Sequence, residues 1–121
     1  MFAKVCSAAV NGIEAYPVEV EVNDGWGDTA TVIVGLPDAA VRESRDRVST
    51  ALHNSAFRFP MGRTTINLAP ADVKKEGPSF DLPIAIGILA ASEQIEPPRL
   101  DDYAMVGELA LTGAVGPVGY L

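Results

Sequence analysis

The chain has 121 residues, 48% hydrophobic, 21% charged and 7% aromatic, which excludes a disordered or collagen-like chain and fits one domain burying roughly two-thirds of its unfolded surface. Nine basic against sixteen acidic residues give a net charge of −7, opposing the phosphate attraction behind most non-specific nucleic-acid binding. The lone Cys6 excludes an internal disulfide, no run reaches the roughly 18 apolar residues of a membrane span, and "MFAKVCSAAVNG" lacks a signal-peptide core, so a reducing cytoplasm is expected.

"FAKVCSAAV" and "IEAYPVEVEV" are β-favouring runs separated by Asn11-Gly12, a hairpin signal because both residues tolerate positive φ. Pro17 inside the second run predicts an edge position or a bulge. Val18, Val20 and Val22 alternate with Glu19, Glu21 and Asn23, giving one buried and one wet face. "NDGWGD" turns the chain, with Trp26 read as an aromatic lid over the hairpin in preference to a partner contact. "TATVIVGL" is the third strand.

Leu36-Pro37-Asp38 opens a helix expected over 38–54, with Pro37 near its first position and the Asp38 carboxylate accepting free N–H groups. Val41, Val48, Ala51 and Leu52 share its apolar face. "VRESRDRV" reads as a solvated surface in which Arg42 faces Asp46 and Glu43 faces Arg47 as i,i+4 pairs. His53, the only histidine, suits the helix C-terminus, and with neither a second histidine nor a cysteine pair no metal site is expected.

"RFPMGR" is a turn, "TTINLAP" a fourth strand, and a second helix is expected from about Phe80 to Ser92. "EQIEPPRL" is a loop, "YAMVGELAL" a fifth strand, and Thr112-Gly113 a tight turn into "AVGPVGYL". The order is βββαβαββ in one domain, 1–121. An extended ending without a polar tail suggests a piece of something longer.

Between the fourth strand and the second helix lies "KKEGPSFD", Lys74 to Asp81. Pro78 fixes φ and pushes Gly77 toward extended backbone, making a rigid corner. Ser79 is placed to cap the helix that follows, and Asp81 adds negative charge at its positive end. A nucleophilic Ser79 needs a base within hydrogen-bond reach. His53 is remote in sequence, and Lys74 and Lys75 are expected to stay solvated and protonated. The corner therefore reads as a cap, with catalytic use dependent on a base the stretch does not supply.

"GLPDAAVRESRDRVSTALHNSAFRFP", "TINLAPADVKKEGPSFDLPIAIGILAA" and "VGELALTGAVGPV" together resemble the amino-terminal domain of the ComM/YifB family of magnesium-chelatase-like AAA+ proteins, from about Phe2 to Val118. That domain is similar to the proteolytic domain of Lon, which shares the fold of ribosomal protein S5 domain 2. The resemblance implies a two-layer α+β fold with a mixed sheet and two helices on one face. Lys75, Glu76, Gly77, Pro78 and Ser79 match Lon's "KDGPS", putting Ser79 at the nucleophile position. Lon follows its serine with Ala-Gly, whereas this chain has Phe80 and Asp81, and Lon's lysine would align just beyond Leu121. The resemblance thus implies a degenerate, noncatalytic site.

For a longer parent it implies an ATP-dependent, ring-forming motor with ATP and magnesium in a downstream AAA+ module, and action on DNA in natural transformation. No "GxxxxGK[ST]" phosphate loop occurs in the 121 residues, so no cofactor is expected here. Expected partners are that AAA+ module, further copies of the parent in a homo-oligomer, and DNA through the parent, with no membrane. The alternatives are a residual Ser-Lys peptidase whose lysine lies beyond residue 121, and a DNA-contacting domain.

Overall fold

The computed structural model describes residues 1–75 and 78–116. Strands β1 (Phe2–Asn11) and β2 (Glu14–Gly25) form the expected hairpin, but its turn lies one residue later than Asn11-Gly12. Asn11 pairs with Glu14, leaving Gly12-Ile13 as the two-residue loop. Gly12 has φ of 64° and Ile13 is not among the positive-φ residues, the pattern of a II′ turn, whose twist matches that of the strands.

Strand β3 (Ala30–Val34), helix α1 (Asp38–Asn54) and strand β4 (Arg63–Ala69) make a crossover unit in which β3 and β4 pair in parallel. Because β4 also pairs antiparallel with β2, the sheet is mixed, in the order β1-β2-β4-β3. Helix α2 (Asp81–Ala91) follows a single 3-10 turn at Pro78–Phe80, and a small separate hairpin, β5 (Glu108–Leu109) with β6 (Val115–Gly116), completes the described chain. The element order is βββαβαββ, an α+β arrangement with a mixed sheet and two helices.

Alternation sets the sheet's faces as expected: Val18, Val20 and Val22 are buried while Glu19 and Asn23 are exposed. They join Val5, Ile66 and Leu68, α1 residues Val48, Ala51 and Leu52, and α2 residues Ile84 and Ile88 in one core cluster. Gly87 lets α2 sit close on the sheet, since a Cβ there would lie 2.6 Å from Val22 Cγ2. Pro17 keeps part of its expected place. β2 is an inner strand, yet β4 joins it only from Glu19 onward, so at Pro17 it has β1 as sole partner and the missing N–H leaves no ladder bond unmade.

Three local expectations fail. Pro37 is the N-cap of α1, accepting at its carbonyl from Val41 N–H, and Asp38 makes no side-chain cap bond. The fifth strand shrinks to β5 plus a single parallel bridge between Cys6 and Ala104, because Gly107, which would continue it, spends its backbone groups on the start of α2. Trp26 is 99% exposed and covers nothing; the turn that carries it projects from the end of the sheet. Residues 117–121, within the predicted final segment, lie outside the described residues.

Candidate functional site

The Ser79 corner is built where the 3-10 turn, α1 and β5 meet. Its backbone is stitched to the chain before β5: Gly107 N–H donates to the Ser79 carbonyl at 2.8 Å, and Leu82 N–H donates to the Gly107 carbonyl at 3.0 Å. These bonds take over part of what a cap does. The N-cap position of α2 is Phe80, with no side-chain cap bond, so the expectation that Ser79 caps the helix is corrected. Ser79 sits within the 3-10 turn that precedes the helix, and Gly107, just before β5, supplies the acceptor for the otherwise orphaned N–H of Leu82.

Ser79 and Phe80 are buried and Asp81 has no exposed surface. Asp81 was expected as a negative charge beside the hydroxyl at the helix start. Instead its carboxylate accepts from Arg47 Nε at 2.6 Å and Arg47 Nη2 at 3.1 Å, from Ser44 Oγ at 2.8 Å, and from Leu109 N–H at 3.2 Å. Four donors from α1 and β5 thus converge on one anion at the first residue of α2. A two-point guanidinium contact fixes direction as well as charge, and the Asp81 bond pushes the Arg47 pKa further above its already high ordinary value.

Arg47 was read as part of a solvated i,i+4 face. Its side chain is only 21% exposed, and its contact with the largely exposed Glu43 is at 4.0 Å against 2.6 Å to Asp81. No Arg42–Asp46 ion pair forms among the described residues. The missed signal was in the pattern: Ser44 lies four residues before Val48 on the apolar stripe of α1, and Asp81 opens the apolar run of α2. A polar residue at each of two facing apolar positions is the mark of a buried pair.

The two lysines part company. Lys74 is exposed as expected, whereas Lys75 is buried, correcting its reading as solvated. Its Nζ donates to the carbonyls of Pro70 at 2.6 Å and Val73 at 2.7 Å. Burial pushes its pKa down from the ordinary 10.5, partly opposed by the charge of Asp72. The ammonium is held as a clip on the loop after β4. Glu76 and Gly77, part of the matched signature, lie outside the described residues; Pro78 is exposed at the turn's start.

Among the described residues no glycine-rich turn is built to cradle a phosphate. The Gly25-Trp26-Gly27 turn leads into a strand, the Gly113 turn lies inside the β5–β6 hairpin, and neither carries a lysine. At the start of α2 the position for a phosphate is filled by Asp81, itself an anion. Among the described residues no group of three or more His, Cys, Asp or Glu side chains could hold a metal ion, and His53 is exposed. Among the described residues no helix is long and apolar enough to cross a membrane.

Comparison with known proteins gives this geometry a family setting. The model of the family described as "Subunit ChlI of Mg-chelatase" matches residues 18–121. The chain is 52% identical over 111 residues to the uncharacterized protein YifB of Escherichia coli K12, covering 92% of this chain and 22% of that protein. It is 51% identical over 111 residues to the competence protein ComM of Haemophilus influenzae, again covering 92% of this chain and 22% of that protein. A more distant similarity, 27% over 118 residues, joins it to the Lon protease of Chlamydia muridarum, covering 92% of this chain and 14% of the protease. The chain thus spans about a fifth of the length of its YifB and ComM relatives. With a family match running from the middle of β2 to residue 121, and half of the aligned residues identical to YifB and ComM, the chain belongs to the Mg-chelatase ChlI-subunit family.

Proposed function

We propose that this chain is a noncatalytic module with the ribosomal S5 domain 2-like fold of Lon's proteolytic domain, serving ring assembly or partner docking in a longer magnesium-chelatase-like AAA+ ATPase. The observation that carries the reading is Asp81. Two residues after Ser79, where Lon has small residues, a carboxylate is sealed under Arg47, Ser44 and the Leu109 N–H. The corner serves as a joint that ties α1, α2 and β5 together. ATP and magnesium belong to the AAA+ module elsewhere in the polypeptide, which is cytoplasmic and homo-oligomeric. The name of the Haemophilus relative, a competence protein, supports DNA processing during transformation as the parent's task, with DNA reached through the assembled parent.

The test is a pair of variants in the longer protein. Ser79→Ala should leave its ATP-dependent activity and assembly intact, while Arg47→Ala should impair both. Loss of activity in Ser79→Ala with assembly unchanged would contradict the reading.

One observation favours a second reading, a Ser-Lys peptidase whose base is Lys75 and not a lysine beyond residue 121. Lys75 is buried with a lowered pKa four residues before Ser79, which meets one condition for a general base, the other being hydrogen-bond reach of the hydroxyl. Against it, both contacts of Lys75 Nζ are to carbonyl oxygens, which favour the protonated form.

A further inference from the structure

The four-stranded sheet has two edges, β1 and β3, and the chain treats them differently. Along β1 a neighbouring segment closes the edge: Met105 N–H donates to the Cys6 carbonyl at 3.0 Å, Cys6 bridges Ala104 in parallel, and Ser7 Oγ donates to the Met105 carbonyl at 2.8 Å. Where β2 runs on past the end of β4, Pro17 stands in the overhang and blunts it.

Nothing of the kind protects β3. Its run Ala30-Thr31-Val32-Ile33-Val34 has no charge, no proline and no bulge against β4, the devices that ordinarily keep an edge from pairing. Ala30 N–H donates to the Gly62 carbonyl at 3.1 Å, which puts the backbone groups of Ala30, Val32 and Val34 on the β4 side. Those of Thr31 and Ile33 therefore face outward. Two N–H and two C=O groups stand in a row there, with no hydrogen-bond partner among the described residues. Beside them Val32 is half-buried and Val34 is 50% exposed.

We infer that a further strand pairs with the open edge of β3, and that it comes from the same polypeptide, outside residues 1–121. The size of the edge selects the occupant. At about 3.3 Å per residue the five residues run roughly 17 Å, and with side chains about 10 Å deep an added strand covers roughly 170 Å² of the edge. Two separate molecules meeting on this edge alone would bury about 350 Å² in total, far below the roughly 1,200 Å² of a stable interface. A second copy or an untethered partner is thus held too weakly. A segment of the same polypeptide arrives at a millimolar effective concentration, without the cost of bringing two molecules together. The chain spans about a fifth of the length of its YifB and ComM relatives, so a longer parent has ample sequence to supply it. The segment should be a short β-branched run, apolar where it lies beside Val32 and Val34. This inference deepens the docking role proposed above and rests on the reading of the chain as part of a longer ATPase.

Residue-resolved amide hydrogen exchange on the 121-residue chain and on the longer protein tests it. In the short chain, Thr31 and Ile33 should exchange at least about 10-fold faster than Val32 and Val34, whose N–H groups belong to the ladder. In the longer protein both should slow by at least about 10-fold, and stay slow at dilutions where sedimentation shows a single copy. Thr31→Pro removes an outward donor, and Val34→Lys places a charge on the edge. Each should return Ile33 of the longer protein to its short-chain rate, thermal melts of the short-chain variants confirming that they fold. Exchange at Thr31 and Ile33 that is equally fast in both proteins, or already slow in the short chain, would overturn the inference. So would protection that is lost on dilution together with the mass of an oligomer, which assigns the edge to a neighbouring copy. Assembly and ATP hydrolysis, followed on the same samples of the longer protein, separate the two failures. If both persist while Thr31 and Ile33 exchange freely, the longer-ATPase reading stands and only the added strand is wrong.

Discussion

Replacing Arg47 by alanine leaves the Asp81 carboxylate in place, without exposed surface and with only Ser44 Oγ and the Leu109 N–H to meet it. Breaking a buried ion pair by removing one partner costs about 3–5 kcal/mol, because the remaining charge keeps its desolvation penalty. Here a fifth of the Arg47 side chain is in solvent, so water can follow into the space it leaves, and the low end, about 3 kcal/mol, is expected. That is a substantial part of the roughly 6–18 kcal/mol available to a domain this long. It corresponds to a fall in Tm of about 10 °C and a loss of about 1.5 M in the urea midpoint. Equilibrium urea unfolding of the 121-residue chain measures it, and a double-mutant cycle with Asp81→Asn should return a coupling of at least about 2 kcal/mol. Glu43→Ala serves as the control; with its contact at 4.0 Å and its carboxylate largely exposed, the expected change is below about 0.5 kcal/mol. An Arg47→Ala cost under about 1 kcal/mol, with coupling near zero, is the behaviour of a surface pair and would refute the joint.

Gly87→Ala should destabilise by about 1–3 kcal/mol, because its Cβ would meet Val22 Cγ2 at 2.6 Å. Combining it with Val22→Ala, which opens that space, should cost less than the two changes summed, measured by the same unfolding assay. Lys75→Met tests the buried ammonium through pH. Its folded-state pKa lies below the ordinary 10.5, so between the two values the unfolded chain binds more protons. Wild-type stability relative to Lys75→Met should therefore rise as pH climbs through that window and level off above 10.5. A flat difference across the window shows instead that Lys75 is not desolvated.

What could be read ahead follows from how local each signal is. The α1 span, 38–54, is fixed by a proline at its start and an apolar stripe, and the β2 alternation by a period of two; both are written in consecutive residues. The hairpin turn slipped by one because Asn11 and Gly12 both accept positive φ, and only the cross-strand register with Glu14 chooses between them. The fifth strand dissolved because the backbone of Gly107 is claimed by Ser79 and Leu82, partners 28 and 25 residues earlier. The site itself was half legible. "GPSFD" marked the corner, but the role of Asp81 depends on Arg47 and Ser44, 34 and 37 residues earlier. For Arg47 the i,i+4 neighbour Glu43 offered a simpler, local pairing. Lys75 looked like any lysine in a polar stretch until the loop after β4 folded over it, and Trp26 looked like a lid until its turn was seen to have nothing beneath it.

The central claim is that Ser79 is part of a joint and not a nucleophile, and its direct test is reactivity. The longer protein and the 121-residue chain should be treated with a fluorophosphonate reagent and Ser79 followed by peptide mass spectrometry, with and without ATP. No modification above the level of an unfolded control is predicted. Stoichiometric labelling of Ser79 that disappears in Ser79→Ala, in Lys75→Met, or in both would contradict the claim and make the corner a working active site.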